Sequence, residues 1–294
     1  MAGDPRGHGL PVGARNAALL AWYRGHGRAF PWRATRDPYR ILVSEVMLQQ
    51  TQAARVVVPY LRFLDRFPTP EALAGADRVE VLAAWSGLGY NRRAIRLQDA
   101  VRVVVANGWP QEAAELQSLP GVGPYTAAAV AAFAFGRHEP PVDVNVRRVL
   151  SRWKGAVLAG ASLREEAHRA VGDDAAAWTQ AVMDLGATIC RARDPDCGRC
   201  PVAAWCTDPT VELPRRTQGR FEGSIRQARG AVVAALVAGG PATAAQLEGL
   251  TGIERERLDD ALEGLRADGM VDRSGRRYRI KPGSSPGGAF LPRS

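Results

Sequence analysis

The four cysteines, Cys190, Cys197, Cys200 and Cys206, all fall within seventeen residues. Their spacing is Cys, six residues, Cys, two, Cys, five, Cys. Four thiolates so close together can hold zinc or an iron–sulfur cluster. Zinc modules usually bring two C-x-x-C pairs, and only one occurs here, so the ligand pattern favours iron–sulfur. Arg191, Arg193 and Arg199 lie among the cysteines, and a loop held rigid by metal would present them to phosphate.

Two carboxylates sit where plain structure does not ask for them. Glu45, in ILVSEVMLQQT, interrupts an apolar run. On a helix, Leu42, Val46 and Ala53 share one face, and Glu45, Gln49 and Gln52 form a polar stripe on another. A carboxyl beside apolar neighbours has a raised pKa and can give up a proton near neutrality, although a solvated polar face would show the same pattern. Asp143, in PPVDVNVRRVL, stands where a helix should begin. Either it caps that helix, or Asn145 takes the cap and leaves Asp143 free for chemistry.

Residues 119–130 read LPGVGPYTAAAV. Gly121 and Gly123 permit backbone angles that other residues avoid, and Pro124 suits the first helical position. The N–H groups at that helix start form a site for a phosphate or other anion. A plain turn between packed helices gives the same string.

The chain that carries these residues has 294 positions, of which 46% are hydrophobic, enough for a buried core. Its net charge is +9 and its pI about 10.0, which favours a polyanion partner, nucleic acid first. The basic residues are nearly all arginine; only Lys154 and Lys281 are lysines, so the usual Schiff-base nucleophile is scarce. No apolar run approaches the roughly 20 residues that span a bilayer, and MAGDPRGHGLPVG lacks the apolar stretch of a signal peptide. A soluble, cytoplasmic protein without a membrane partner is expected.

The spacing of apolar residues predicts helices over 14–27, 40–54, 56–66, 70–75, 78–85, 91–106, 112–118, 124–135, 145–153, 162–171 and 175–187. Strand-like alternation is scarce, so the core at 14–206 is all-α. Residues 207–224 are polar and turn-rich and read as a linker. Residues 225–281 hold three short helices and a hairpin around Arg273–Arg277, the order of a winged helix. The acids Glu254, Glu256, Asp259, Asp260 and Glu263 on its third helix weaken a DNA reading of that helix. Residues 1–13 and 282–294 read as disordered tails.

Together these pieces resemble a known family. LPGVGPYTA looks like the helix–hairpin–helix of the endonuclease III superfamily of DNA glycosylases, VDVNVRRV like its catalytic-aspartate segment, and the cysteine spacing like its four-iron cluster loop. WYRGHGRAFPWR, DPYRILVSEVMLQQTQAARV and WSGLGYNRRAIRL are similar to the MutY type, the mismatch-specific adenine DNA glycosylases. The resemblance covers about residues 16–210.

The resemblance implies a two-lobed helix–hairpin–helix core, a middle lobe at about 40–137 and a terminal lobe at 14–39 and 138–206. It implies a 4Fe–4S cluster on the four cysteines and a bacterial, nucleoid-associated monomer that acts on double-stranded DNA with a mispaired or damaged base. Glu45 matches the general acid at adenine N7, Asp143 the carboxylate that stabilises the sugar cation, and Tyr125 and Asn145 residues that orient the sugar. Gln50 and Tyr90 match residues that wedge into the duplex; Gly121 and Gly123 match a phosphate-binding turn, and Arg33 a pocket residue. Members that cut the strand efficiently carry lysine where this chain has Tyr125, so base removal without strand cleavage is implied.

The match departs at three places: Asn91 follows Tyr90 where a paired tyrosine is usual, Val144 follows Asp143 in place of glycine, and Asp184 stands where a glutamate reading the adenine edge is common. About 70 residues follow the linker, too few for the Nudix-like domain that recognises oxoguanine in many MutY-type enzymes. Two other readings stay open: a thymine or oxidised-pyrimidine glycosylase of the same superfamily, and a non-catalytic iron–sulfur DNA-binding damage sensor.

Overall fold

In a computed structural model, residues 11–214 and 219–283 are described. Most of the expected tail residues lie outside them, as does the middle of the expected linker. The described residues form two compact units.

The first unit comprises residues up to Pro38, 111–117 and 123–216. It contains α1 (Val12–His26), a short 3-10 turn at Pro31–Arg33, α7 (Ala113–Leu116), α8 (Pro124–Phe135), α9 (Val144–Lys154), α10 (Gly160–Ala170) and α11 (Ala175–Thr188), followed by the cysteine segment. Its core gathers Leu19, Val149, Leu150, Trp178, Val182 and Leu185. Polar pins cross this core. Asn16 donates to the carbonyl of Ala170 at 3.0 Å and accepts from the Trp178 indole at 3.1 Å. α8 is buried from Thr126 to Ala132, and its alanines let the helix lie close to α11.

The second unit comprises 39–110, 118–122 and 217 onward. It holds α2 (Pro38–Leu48), α3 (Ala53–Arg66), α4 (Pro70–Gly75), α5 (Arg78–Ala84) and α6 (Arg92–Asn107). Phe63 packs edge-on against Phe67 and Trp85, with centroids 5.0 and 5.7 Å apart, and the Tyr39 hydroxyl donates to the Phe67 carbonyl. The C-terminal module belongs to this unit: α12 (Ile225–Gly239), α13 (Ala244–Thr251), α14 (Arg255–Ala267) and the strands β1 (Ala242–Thr243), β2 (Val271–Ser274) and β3 (Arg277–Ile280). The antiparallel strand order is β1-β3-β2, with the expected hairpin and one further short strand.

Two expectations change. The helix expected over 40–54 ends at Leu48, and the next begins at Ala53. Gln50 between them has φ +57°, in the left-handed region, where a right-handed helix cannot continue. Gln49 and Gln52 therefore do not extend a helical stripe from Glu45. Second, 124–135 groups with the cysteine-bearing unit rather than with the middle helices. Among the described residues no helix is long and apolar enough to cross a membrane.

Candidate active site and cysteine cavity

Asp143 is the N-cap of α9. Its Oδ1 accepts from the backbone N–H of Val146 at 2.7 Å, and its Oδ2 accepts from the Asn145 side chain at 2.8 Å. Of the two caps left open by the sequence, the Asp143 cap is the one formed: Asn145 lies inside the helix and bonds the capping carboxylate. Burial raises the Asp143 pKa, and the hydrogen bonds from Val146 and Asn145, with the charge of Arg148, oppose that rise.

A polar chain leads on from this carboxylate along one face of α9. Arg148 donates to Asn145 Oδ1 at 2.9 Å, to the Gly186 carbonyl at 2.6 Å and to the Cys190 carbonyl at 2.8 Å. One turn further, Arg152 donates to Cys190 Sγ at 3.2 Å and to the Arg191 carbonyl at 2.8 Å. Positions 145, 148 and 152 share a helix face, which is why one helix can tie Asp143 to the cysteine segment. α9 and α11 approach so closely that a Cβ on Gly186 would lie 2.8 Å from Asn145 Cβ.

The four cysteines line one cavity of about 90 Å3, with Leu185, Ile189 and Pro195 as apolar walls. Burial, followed by the charges of the other three cysteines, pushes the Cys206 thiol up to about 12; burial also raises Cys200. Among the described residues no group of three or more His, Cys, Asp or Glu is set to hold a metal ion. Four sulfur donors around one small, apolar-walled cavity, with Arg152 donating to one of them, suit a multi-iron cluster. Arg191, Arg193 and Arg199 are exposed on this segment.

Arg33 and Asp184 form a buried ion pair. Asp184 has no exposed surface. It accepts from both Nη atoms of Arg33 at 2.7 and 2.9 Å, and from the Arg28 backbone N–H and Nε at 2.8 and 2.7 Å. Burial alone would raise its pKa, but the hydrogen bonds and charges of Arg33 and Arg28 outweigh it and hold the carboxyl below the usual range. This is the position at which the resemblance has a glutamate that reads the adenine edge. The Asp184 oxygens are spent on two arginines, and their effect is to hold Arg33, which also lies 5.9 and 5.2 Å over the Tyr23 and Phe30 rings.

In the second unit Glu45 is buried in α2 among Leu42, Val46 and Met47. Gln50, Tyr90 and Gly121 line one cavity of about 500 Å3. Gln50 and Tyr90 are both exposed, and their φ values of +57° and +49° are costly for residues with a side chain. Arg93, which sequence reasoning missed, holds both. Its guanidinium donates to the carbonyls of Val46 and Met47 at the end of α2 (2.8 and 3.0 Å) and to those of Leu88 and Gly89 (3.1 Å each). Burial lowers its pKa to about 10. A signal was present: a cation in the first turn of α6 opposes the helix dipole, so it needs another reason to be there.

The two glycines of the 119–123 turn differ. Gly121 has φ +77°, and a Cβ there would lie 2.6 Å from Arg96 Cβ, so the chain itself requires glycine. Gly123 is extended, with φ −90° and ψ 177°, and a Cβ there would meet nothing within 4 Å. Both are exposed, no side chain caps the start of α8, and Tyr125 is half-buried in its first turn. Lys154 ends α9, at the far end from Asp143, and pairs with Glu166 at 3.9 Å.

A family model described as "HhH-GPD superfamily base excision DNA repair protein" matches residues 43–168. The adenine DNA glycosylase of Mycobacterium tuberculosis (strain ATCC 25618 / H37Rv) is 42% identical over 274 residues, covering 87% of this chain and 90% of that protein. The chain belongs to the adenine DNA glycosylase family. The human adenine DNA glycosylase is 41% identical over 218 residues, covering 66% of this chain and 39% of its own length. Likeness to family members therefore has two extents: the mycobacterial match covers more of the chain than residues 1–224 can supply, so it reaches into the C-terminal module.

Solved structures place the fold in the helix–hairpin–helix glycosylases. A thermostable thymine-DNA glycosylase has a TM-score of 0.63 and 32% identity, covering 67% of this chain and 95% of its own. An endonuclease III in non-covalent complex with DNA has a TM-score of 0.58 at 22% identity, covering 68% and 97%, which shows the shared fold.

Proposed function

We propose that this protein is a monofunctional DNA glycosylase of base excision repair that removes adenine mispaired with oxoguanine or guanine and leaves the strand uncut. The observation that carries the reading is Asp143, oriented by Val146 and Asn145 at the head of α9, in a core whose one lysine sits at the opposite end of that helix.

In this reading the adenine leaves the base stack before its glycosidic bond can be reached. The N9–C1′ bond then breaks, and its electron pair goes to the base. Glu45 gives a proton to adenine N7, so the base departs neutral. The sugar left behind is cationic at C1′, and the Asp143 carboxylate stabilises that charge. Water adds to C1′ and loses a proton, leaving an abasic sugar. Asn145 and Arg148 keep Asp143 aimed, and Tyr125 orients the sugar without offering an amine for a Schiff base. Arg33, fixed by Asp184, lines the base pocket.

The exposed turn at Gly121–Gly123 binds a DNA phosphate. Gly121 is required by the turn itself, whereas the bare Gly123 leaves its backbone open to close approach from outside. Gln50 and Tyr90, held in left-handed conformations by Arg93, enter the duplex. Cys190, Cys197, Cys200 and Cys206 hold a 4Fe–4S cluster, which supplies a rigid frame for the loop that presents Arg191, Arg193 and Arg199 to the backbone. The protein acts as a monomer on nucleoid DNA.

The thymine-DNA glycosylase likeness gives a second substrate class to test. Single-turnover excision is measured on duplexes with A opposite oxoguanine, A opposite G, T opposite G and thymine glycol, each with and without alkali. Adenine loss that appears as a break only after alkali is the expected result. Pyrimidine loss would move the protein to the second class, and breaks without alkali would overturn the monofunctional assignment.

A further inference from the structure

The C-terminal module carries a feature that excision does not use. Its hairpin, VDRSGRRYRI, holds four arginines in seven residues: Arg273, Arg276, Arg277 and Arg279. All four are exposed, while Val271, Tyr278 and Ile280 are buried against the module. The register explains the sorting. Val271 pairs with Ile280 on the inner face, and Asp272 pairs with Arg279 and Ser274 with Arg277 on the outer face; Arg273 pairs with Tyr278 and is exposed although Tyr278 is buried. Arg276 stands at the turn. Arg273 lies 5.6 Å over the Tyr278 ring and bonds the Gly275 carbonyl. Among the described residues no carboxylate forms an ion pair with any of the four; Asp272 is the hairpin's one acid.

The third helix of the module is unlike the hairpin. α14 carries Glu256, Asp259, Asp260 and Glu263, preceded by Glu254. Against these acids α14 has Arg255, Arg257 and Arg266, a net charge of −1 over the helix, and Arg255 is tied to Asp259 at 2.9 Å and to Glu248 at 3.8 Å. A helix that enters the major groove of DNA is usually cationic, and α14 brings no net positive charge to that role. The net positive charge is placed on the wing instead.

The module is fastened within its unit beside the strained pair. Arg226 donates to the Tyr90 hydroxyl at 2.9 Å, and Asp268 bonds Arg92 at 3.0 Å and Arg229. Met270, the residue before β2, lines the same cavity as Gln50, Tyr90 and Gly121. The wing therefore starts at the wall of that cavity, and its strands of four residues rise about 3.3 Å per residue.

We propose that this wing is a second DNA-binding surface, which grips the phosphate backbone of duplex DNA through Arg276, Arg277 and Arg279 while α14 stays out of the grooves. The contact is to phosphate, so it carries affinity and position rather than base recognition. It rests on the reading that the protein acts on duplex DNA.

The test uses the full chain and a fluorescent duplex containing a mismatch, with Kd measured against salt concentration. The variant R276A/R277A/R279A is compared with K154A/R164A/R169A, which removes three charges from exposed or half-exposed positions on α9 and α10. The wing variant is expected to weaken binding roughly tenfold at moderate salt. It should also flatten the log Kd against log salt slope by about 2 to 3, since each phosphate that the protein no longer neutralises removes about 0.9. The α9–α10 variant should leave the slope near wild type, and R276K/R277K/R279K should restore most of the affinity. Equal losses in both alanine variants would mean that net charge alone matters, and would overturn the proposal. An unchanged slope in the wing variant would overturn it too, and would assign the wing to an acidic protein partner. Failure of the wild-type protein to bind any duplex would sink the glycosylase reading instead.

Discussion

At the scale of single residues, chemistry depends on how each carboxylate is held. Asp143 must be ionised to face a cation, yet burial raises its pKa. Excision should therefore fall as pH drops through a value above the ordinary Asp pKa of about 3.9. Asn145→Ala removes a hydrogen bond that favours the anion, so it should move that acid limb to higher pH and slow excision at neutrality. A single-turnover pH profile reads both effects. An acid limb that stays in place would show that Asn145 does not tune Asp143. Asp143→Asn should abolish excision and leave duplex binding near wild type. Tyr125→Lys places an amine in the first turn of α8, and borohydride trapping should then give a covalent protein–DNA adduct that the wild type does not form.

Elements set the next scale, because several polar residues act by fixing loops. Asp184 has a lowered pKa, so its share of stability is complete above the ordinary Asp value and is lost as pH falls through the lower folded-state value. Asp184→Asn leaves Arg33 and Arg28 without a counter-charge and should cost about 3–5 kcal/mol, measured by urea unfolding at pH 7. The mutant's stability should also lose this pH dependence between the two values. Arg93→Met frees the end of α2 and the 88–89 loop together, and should cost at least about 3 kcal/mol. The glycine turn gives a paired prediction. Gly121→Ala, strained and clashing with Arg96, should lower stability by about 1–3 kcal/mol. Gly123→Ala should leave the unfolding curve in place, because the added methyl meets no atom within 4 Å, and should weaken DNA binding severalfold if a phosphate approaches this turn as proposed. A Gly123→Ala protein that bound DNA normally would remove this turn from the interface.

At the scale of the whole molecule, the chain has a net charge of +9 and a cavity lined by all four cysteines. Replacing Cys200 by serine should remove the visible absorbance of an iron–sulfur cluster, lower the thermal midpoint and weaken DNA binding. The helix content by circular dichroism should stay near wild type. A Cys200→Ser protein with unchanged stability and binding would leave the cysteines without a structural role.

Much of this was legible in the sequence, and the reason is locality. Helix periods, the C-x-x-C spacing, the LPGVGPYTA turn, the order of the winged module and the strong basic charge are read over short windows, where neighbours along the chain are neighbours in space. The all-α core and the family follow from those motifs and from their order. What lay beyond a window had to come from tertiary structure. The helix over 40–54 looked continuous because its propensities are; only the left-handed Gln50, held with Tyr90 by Arg93, ends it. Asp184 stood out in the sequence only as a departure from the family pattern; that it is held by Arg28 and Arg33, more than 150 residues away, is visible only in the fold. The α9 stripe of Asn145, Arg148 and Arg152 was visible as a period, yet nothing in that period says that it ends on Cys190. Sequence alone therefore determined which groups are present and, away from the element ends near Gln50, on which element they stand. Tertiary structure decided which of them are spent on one another and which remain exposed, since pairing energies depend on distances that the chain sets only when it folds.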